Sequence, residues 1–150
     1  MDLMPLARAE REDLLALLVG LTPEQWRAPS LCAGWSVQDV VAHVVSYEEL
    51  TARQLTARFA RGRLAFDRVN ALGLREYSAR SPAELIELLG RHLTPAGLTA
   101  GMHGAIALTD GLIHHQDIRR PLGLPRTIPP ERLVPALRTA LFAPTLLGAW

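Results

Sequence analysis

The chain has no lysine: its sixteen basic residues are all arginine, and they nearly balance fifteen acids to leave a formal charge of +1. Without a clustered basic stripe, that balance gives no reason to expect a nucleic-acid partner. Cysteine is almost absent too. Cys32 stands alone, so no internal disulfide can form and a reducing cytoplasm is the expected location. Long apolar runs are missing: none approaches the roughly 20 residues that a membrane span needs, so no membrane partner is expected. Acidic residues begin at Asp2 and return at Glu10, Glu12 and Asp13, which interrupts the apolar core a signal peptide would need. Nor does any stretch alternate with a period of two over a convincing length, so sheet content should be near zero.

What is present is helical material. The 150 residues are 49% hydrophobic, enough for one sizeable core, and a single domain over 1–150 is expected. The bias to Ala, Leu and Arg suits helices and fits GC-rich coding. Leu6, Leu14, Leu15, Leu17 and Leu18 recur at helical spacing from about Asp2 to Val19, before Gly20. Thr22, Pro23 and Gln25 have the spacing of a capping box for a short turn ending at Trp26. After an ordered loop over Arg27–Trp35, Ser36 caps a long helix expected to reach about Arg61, with Val37, Val40, Val41, Val44 and Val45 on its apolar face and His43 at the border. Residues Arg63 to Arg80 read as a less regular helix interrupted at Gly73. Ser81, Pro82 and Glu84 restart the pattern. A helix from about Thr99 to Arg119 ends before Pro121, a Pro-rich connector follows, and a last short helix runs from Glu131 to Phe142, closed by Pro144. The expectation is an all-α four-helix bundle with short additional helices.

Chemistry concentrates in Asp110-Gly-Leu-Ile-His114-His115-Gln-Asp117. Residues four apart lie one above the other on a helix, so Asp110 and His114 can close on a single ion. His103 and Asp117 fall near the same stripe, because steps of seven residues drift by only about 20°. Gly111, inside this helix, costs roughly 1 kcal/mol relative to Ala and leaves room for a close approach. Imidazole and carboxylate are ligands of borderline divalent cations, and His43 on another helix would complete a three-ligand set with an open position. Each piece has a plainer reading. An Asp-x-x-x-His pair arises by chance on many helices, and a lone histidine on an apolar border is commonly a packed one. His115, about 100° round the helix from His114, reads as a neighbour in a helix contact; Asp117 reads as a helix-end orienter or a partner of Arg120. Cys32 reads as a small buried residue without an activating charge.

Leu21-Thr-Pro-Glu-Gln-Trp26 and Pro29-Ser-Leu-Cys-Ala-Gly-Trp-Ser-Val-Gln-Asp-Val-Val-Ala-His43 resemble the N-terminal half of the mycothiol-dependent maleylpyruvate isomerase family, within the DinB-like helical bundles. Ile113-His114-His-Gln-Asp-Ile-Arg-Arg-Pro-Leu-Gly123 resembles that family's second signature, in the same order and at a matching separation. The resemblance implies a divalent metal, usually zinc, held by a histidine of the first signature and a Glu-x-x-x-His pair of the second. These roles fall on His43, Asp110 and His114. Asp110 departs from the pattern: one methylene shorter than Glu, it would draw the ion nearer its own helix or bind through water. Many relatives continue into a small C-terminal domain that helps form the active site; here the sequence stops at Trp150, so that domain is expected to be absent. The resemblance further implies mycothiol as thiol cosubstrate and a small-molecule electrophile, with a metal-activated thiolate doing isomerisation or S-transfer. The rival expectation is a non-catalytic bundle of the same descent that works as an interaction or homodimer module.

Overall fold

A computed structural model of the chain describes residues 1–142. These form eight helices and no strand: α1 (Met4–Val19), α2 (Pro23–Arg27), α3 (Val37–Val45), α4 (Ala52–Arg61), α5 (Phe66–Tyr77), α6 (Pro82–Arg91), α7 (Ala105–Arg119) and α8 (Pro130–Phe142). Each of α1, α7, α3 and α6 touches the next, and α6 returns to α1, which closes a four-helix bundle. Around it, α2 and α5 lie on α3, α4 on α5, and α8 on α1 and α7. The all-helical expectation holds. No helix among the described residues is long and apolar enough to cross a membrane.

The main core joins α1, α3, α6 and α7 through Leu14, Leu18, Val40, Val41, Leu88 and Ile118. Valine is a poor helix former, and α3 is short; its four fully buried valines, Val37, Val40, Val41 and Val45, show that burial holds it. Thr22, Ser36 and Ser81 each close a capping box with Gln25, Asp39 and Glu84. These satisfy orphan backbone donors at three helix starts.

Three helix boundaries differ from expectation. The long helix from Ser36 to Arg61 is two helices. It stops after Val45 where Ser46 turns its hydroxyl onto the His43 carbonyl at 2.9 Å, and a fourth capping box, Thr51 with Gln54, starts α4. The Ser46 carbonyl freed by the break takes a hydrogen bond from the buried Arg58 at 2.8 Å. Helix α5 runs unbroken through Gly73, whose missing Cβ would lie 2.9 Å from Ser46 Oγ and 3.0 Å from Arg58 Nη1. The glycine serves the packing of α5 on the break between α3 and α4. Finally, α7 begins at Ala105, because Met102, His103 and Gly104 all have positive φ. His103 is therefore exposed and lies off the stripe shared by Asp110, His114 and Asp117. Pro144, expected to close the last helix, lies outside the described residues.

Arg11 of α1 ties the bundle together beside this irregular segment. It donates to Glu48 at 2.6 Å and to the His92 carbonyl at 2.6 Å, while Thr99 donates to Glu48 at 2.7 Å. The pair is fully buried, and the extra hydrogen bonds are what make such burial tolerable.

Candidate metal centre

A cavity of about 710 Å³ opens between α3, α5, α7 and the loop before α3, with apolar walls that include Leu31, Phe66, Leu74 and Ile106. His43, from the last turn of α3, enters it beside Asp110 and His114, from successive turns of α7. One donor atom of each lies within 4.8 Å of the other two. His114 Nε2 is 3.4 Å from Asp110 Oδ1, and the two imidazoles meet edge to face with centroids 4.9 Å apart. The three side chains singled out from the sequence thus converge, although 67 residues separate His43 from Asp110.

His43 is enclosed by rings. Trp35 lies 5.3 Å and Tyr47 6.0 Å from it, centroid to centroid, and its Nδ1 is buried with no hydrogen-bond partner among the described residues. Burial pulls its pKa down to about 4 and keeps it neutral. For Asp110, burial alone would raise the pKa, but the charge and hydrogen bond of His114, with the charges of His43 and Arg11, hold it down at about 2. Burial acts against protonation of His114; the charge of Asp110 and hydrogen bonds with Asp110, Asp117 and Cys32 overcome it and raise its pKa well above the usual range. Tyr47, largely through burial, is pushed up to about 12 and so stays a neutral phenol, donating to Asn70 Oδ1 at 2.6 Å.

The second ring nitrogen of His114 is also occupied. Its Nδ1 lies 3.0 Å from Asp117 Oδ2, so Asp117 orients the imidazole and does not pair with Arg120. Cys32 joins them, with Sγ 3.3 Å from Asp117 Oδ2 and 3.9 Å from His114 Nδ1. Its reading as a small buried residue needs correcting: the thiol is partly exposed and lines the cavity. The loop is brought there by a backbone bond from Leu31 N to the Asp117 carbonyl at 3.1 Å. The spacing of His114 and Asp117 was visible in the sequence, but nothing in it announced that bond.

His115 points away from the cavity. Fully buried, it shares a hydrogen bond with Glu10 of α1 at 2.8 Å and accepts one from Arg119 at 2.8 Å. It is the neighbour in a helix contact that its position round α7 implies. Gly111 also faces α1: a Cβ there would meet Glu10 Cγ at 3.5 Å, an ordinary contact, so no close approach of backbone or ligand demands glycine.

Among known families, the model described as the mycothiol maleylpyruvate isomerase N-terminal domain matches residues 7–107. The chain belongs to this family. The match to the mycothiol maleylpyruvate isomerase N-terminal domain takes in most of α1, all of α2 to α6 with His43, and the first residues of α7, and it ends before Asp110 and His114. No curated protein and no solved structure matches the chain.

Proposed function

We propose that this chain is one metal-binding helical-bundle domain in which His43, Asp110 and His114 hold a divalent cation, zinc by preference, and that it acts with mycothiol on a small electrophile as an isomerase or S-transferase in the cytoplasm. The observation that carries this reading is the convergence of two imidazoles and a carboxylate in one cavity. The buried Nδ1 of His43, without a partner of its own, adds support. The donors suit the group. An N₂O set with an open side is the kind of site at which zinc meets substrate, and a His whose far nitrogen is held by a carboxylate is the usual support for a metal-binding imidazole. Asp110 stands beside His114 Nε2 despite its shorter side chain, which supports it in the role that Glu has in the family pattern.

A divalent cation bound there lowers the pKa of a coordinated thiol, so that the nucleophilic thiolate exists at neutral pH. The chain's own residues supply the rest. Asp117 fixes the His114 ring, and Trp35 and Tyr47 close off His43 from bulk water. The neutral Tyr47 hydroxyl and the Asn70 amide form a polar spot on an otherwise largely apolar wall, suited to an oxygen of the electrophile. The cavity is large enough for a small thiol and its partner.

The second reading, a non-catalytic homodimer module, draws on α8, whose Val134, Leu137, Leu141 and Phe142 are 46%, 53%, 78% and 88% exposed. Its mark would be a dimer that leaves the reaction of thiol and electrophile at its uncatalysed rate. Metal analysis tests the first reading: zinc-reconstituted protein should hold at least about one equivalent, and less than about a tenth would remove it. His114→Ala should abolish that binding with helicity intact, whereas His115→Ala should keep it. Equal loss in both would mean the wrong imidazole has been chosen.

A further inference from the structure

We propose that Cys32, His114 and Asp117 form a second cation site, selective for thiophilic metals, which uses the ring nitrogen of His114 that the first set leaves free. The site does not require the first to be filled. Its case begins with the triangle of donors. Sγ to Oδ2 is 3.3 Å, Nδ1 to Oδ2 is 3.0 Å and Sγ to Nδ1 is 3.9 Å. Tetrahedral zinc, with bonds of about 2.0–2.3 Å, requires ligand atoms about 3.3–3.6 Å apart. Each side of the triangle is within a few tenths of an ångström of that.

The donors are also held in place. Asp117 and His114 share the rigid C-terminal half of α7. Cys32 is fixed from two sides: Leu31 N bonds the Asp117 carbonyl at 3.1 Å, and Ser30 Oγ accepts from Cys32 N at 3.1 Å. All three line the cavity, so a cation can enter and keep water or a ligand at a fourth position. Sulfur sets the preference. A thiolate, an imidazole and a carboxylate favour zinc, cadmium or cuprous ions over harder cations, more strongly than the His43 set does. Binding releases the thiol proton of Cys32 and any proton on His114 Nδ1 to solvent, leaving a thiolate and a ring nitrogen as ligands. When filled, the site takes Asp117 away from His114, so soft metals in excess should weaken the first site through the residue the two share.

Cobalt(II) titration of the full-length chain separates this site from a set of ordinary hydrogen bonds. The expected result is a thiolate-to-cobalt charge-transfer band whose growth accounts for one equivalent of metal beyond any held by the first set. Cys32→Ser should lose both the band and that equivalent, and Asp117→Asn should need at least about tenfold more cobalt to reach it. Cadmium should compete for the band better than magnesium does. No charge-transfer band at saturating cobalt would overturn the proposal, as would a band of equal strength and midpoint in Asp117→Asn and His114→Ala, which would mark a lone thiol. Visible ligand-field absorption lost in His43→Ala reports the first site separately. Its absence alongside a thiolate band would sink the proposed function alone, and its presence without that band would sink only the second site.

Discussion

Asp117 is the most informative residue to perturb, because it touches no part of the first donor set except through His114. Its Oδ2 lies 3.0 Å from His114 Nδ1, and its side chain is only 13% exposed, so little solvent competes for the contact. A carboxylate on the far nitrogen of a metal-binding imidazole fixes the ring and raises its basicity, and removing such a partner weakens metal binding by about 10–100-fold. That range corresponds to about 1.4–2.7 kcal/mol. Asp117→Asn keeps a neutral acceptor and should fall near the tenfold end; Asp117→Ala, which removes the acceptor, should approach a hundredfold. Both variants are best made in a Cys32→Ser background, so that the second donor set cannot contribute. Zinc affinity is then read by competition with a chromophoric chelator at less than one equivalent of metal, with circular dichroism as the check on folding. If both variants bind zinc within about twofold of the Cys32→Ser parent while remaining fully helical, packing alone orients the ring and the support assigned to Asp117 is wrong.

Two glycines with opposite surroundings predict opposite stability changes. Gly111→Ala adds a Cβ in ordinary contact with Glu10 Cγ at 3.5 Å and should stabilise the chain by about 0.5–1 kcal/mol. Gly73→Ala would press on Ser46 and Arg58, which are themselves hydrogen-bonded, and should cost about 1–3 kcal/mol; urea denaturation of both variants gives the signs. Acid sensitivity tests the buried cluster of Glu10. Burial would raise its pKa, but hydrogen bonds from His115 and Arg126 and the charge of Arg126 hold it below the ordinary value of 4.5. A depressed carboxylate contributes stability above about pH 4.5 that is lost as pH falls through its folded value. The urea midpoint of the parent should therefore drop more steeply below pH 4.5 than that of Glu10→Gln; parallel curves would assign the acid loss elsewhere.

Periodicity and caps made most of the helices legible, because the signals that start them are local. Thr22, Ser36 and Ser81 each satisfy backbone donors within three residues, so their sequence spacing is the mechanism. The break after Val45 was not legible in the same way. Ser46, the carbonyl it frees and the distant Arg58 that takes it are joined only by the fold, and Thr51 with Gln54, a usable signal, lay inside what read as one continuous pattern. The start of α7 was hidden for a similar reason: Met102 adopts positive φ without a side chain that favours it, and His103, of a type only enriched there, is too weak a signal to end a helical pattern. For the site, i to i+4 spacing made Asp110 and His114 a pair on sight. His43 was a candidate from its place on the border of an apolar helix face and gained weight through motif resemblance, and Cys32 could not be found at all without the loop contact at Asp117.

The two adjacent histidines of α7 show why the polar content of this helix does not weaken the bundle. One residue along the chain turns the side chain by about 100°, and that step decides between two environments. His115 meets Glu10, with Arg119 on its other nitrogen and Arg126 and Arg132 on the same carboxylate. Glu10 pairs with all three basic groups around it, so the cluster binds α1 and the connector before α8 to α7, with Arg126 Nε the one atom of it left buried without a partner among the described residues. His114 meets the opposite arrangement. Asp117 and Cys32 gather on one side of its ring and Asp110 on the other, while the neighbouring His43 keeps a buried nitrogen that nothing in the described residues satisfies. A buried polar nitrogen without a partner, donor or acceptor, costs about 1–3 kcal/mol. A bound cation can remove that cost if it coordinates this nitrogen, and the same charges that favour a proton on His114 favour a cation beside it. On this argument the folded chain should be measurably harder to unfold with zinc than without it. The difference should vanish in His114→Ala and persist in His115→Ala, even though the second substitution destabilises the bundle.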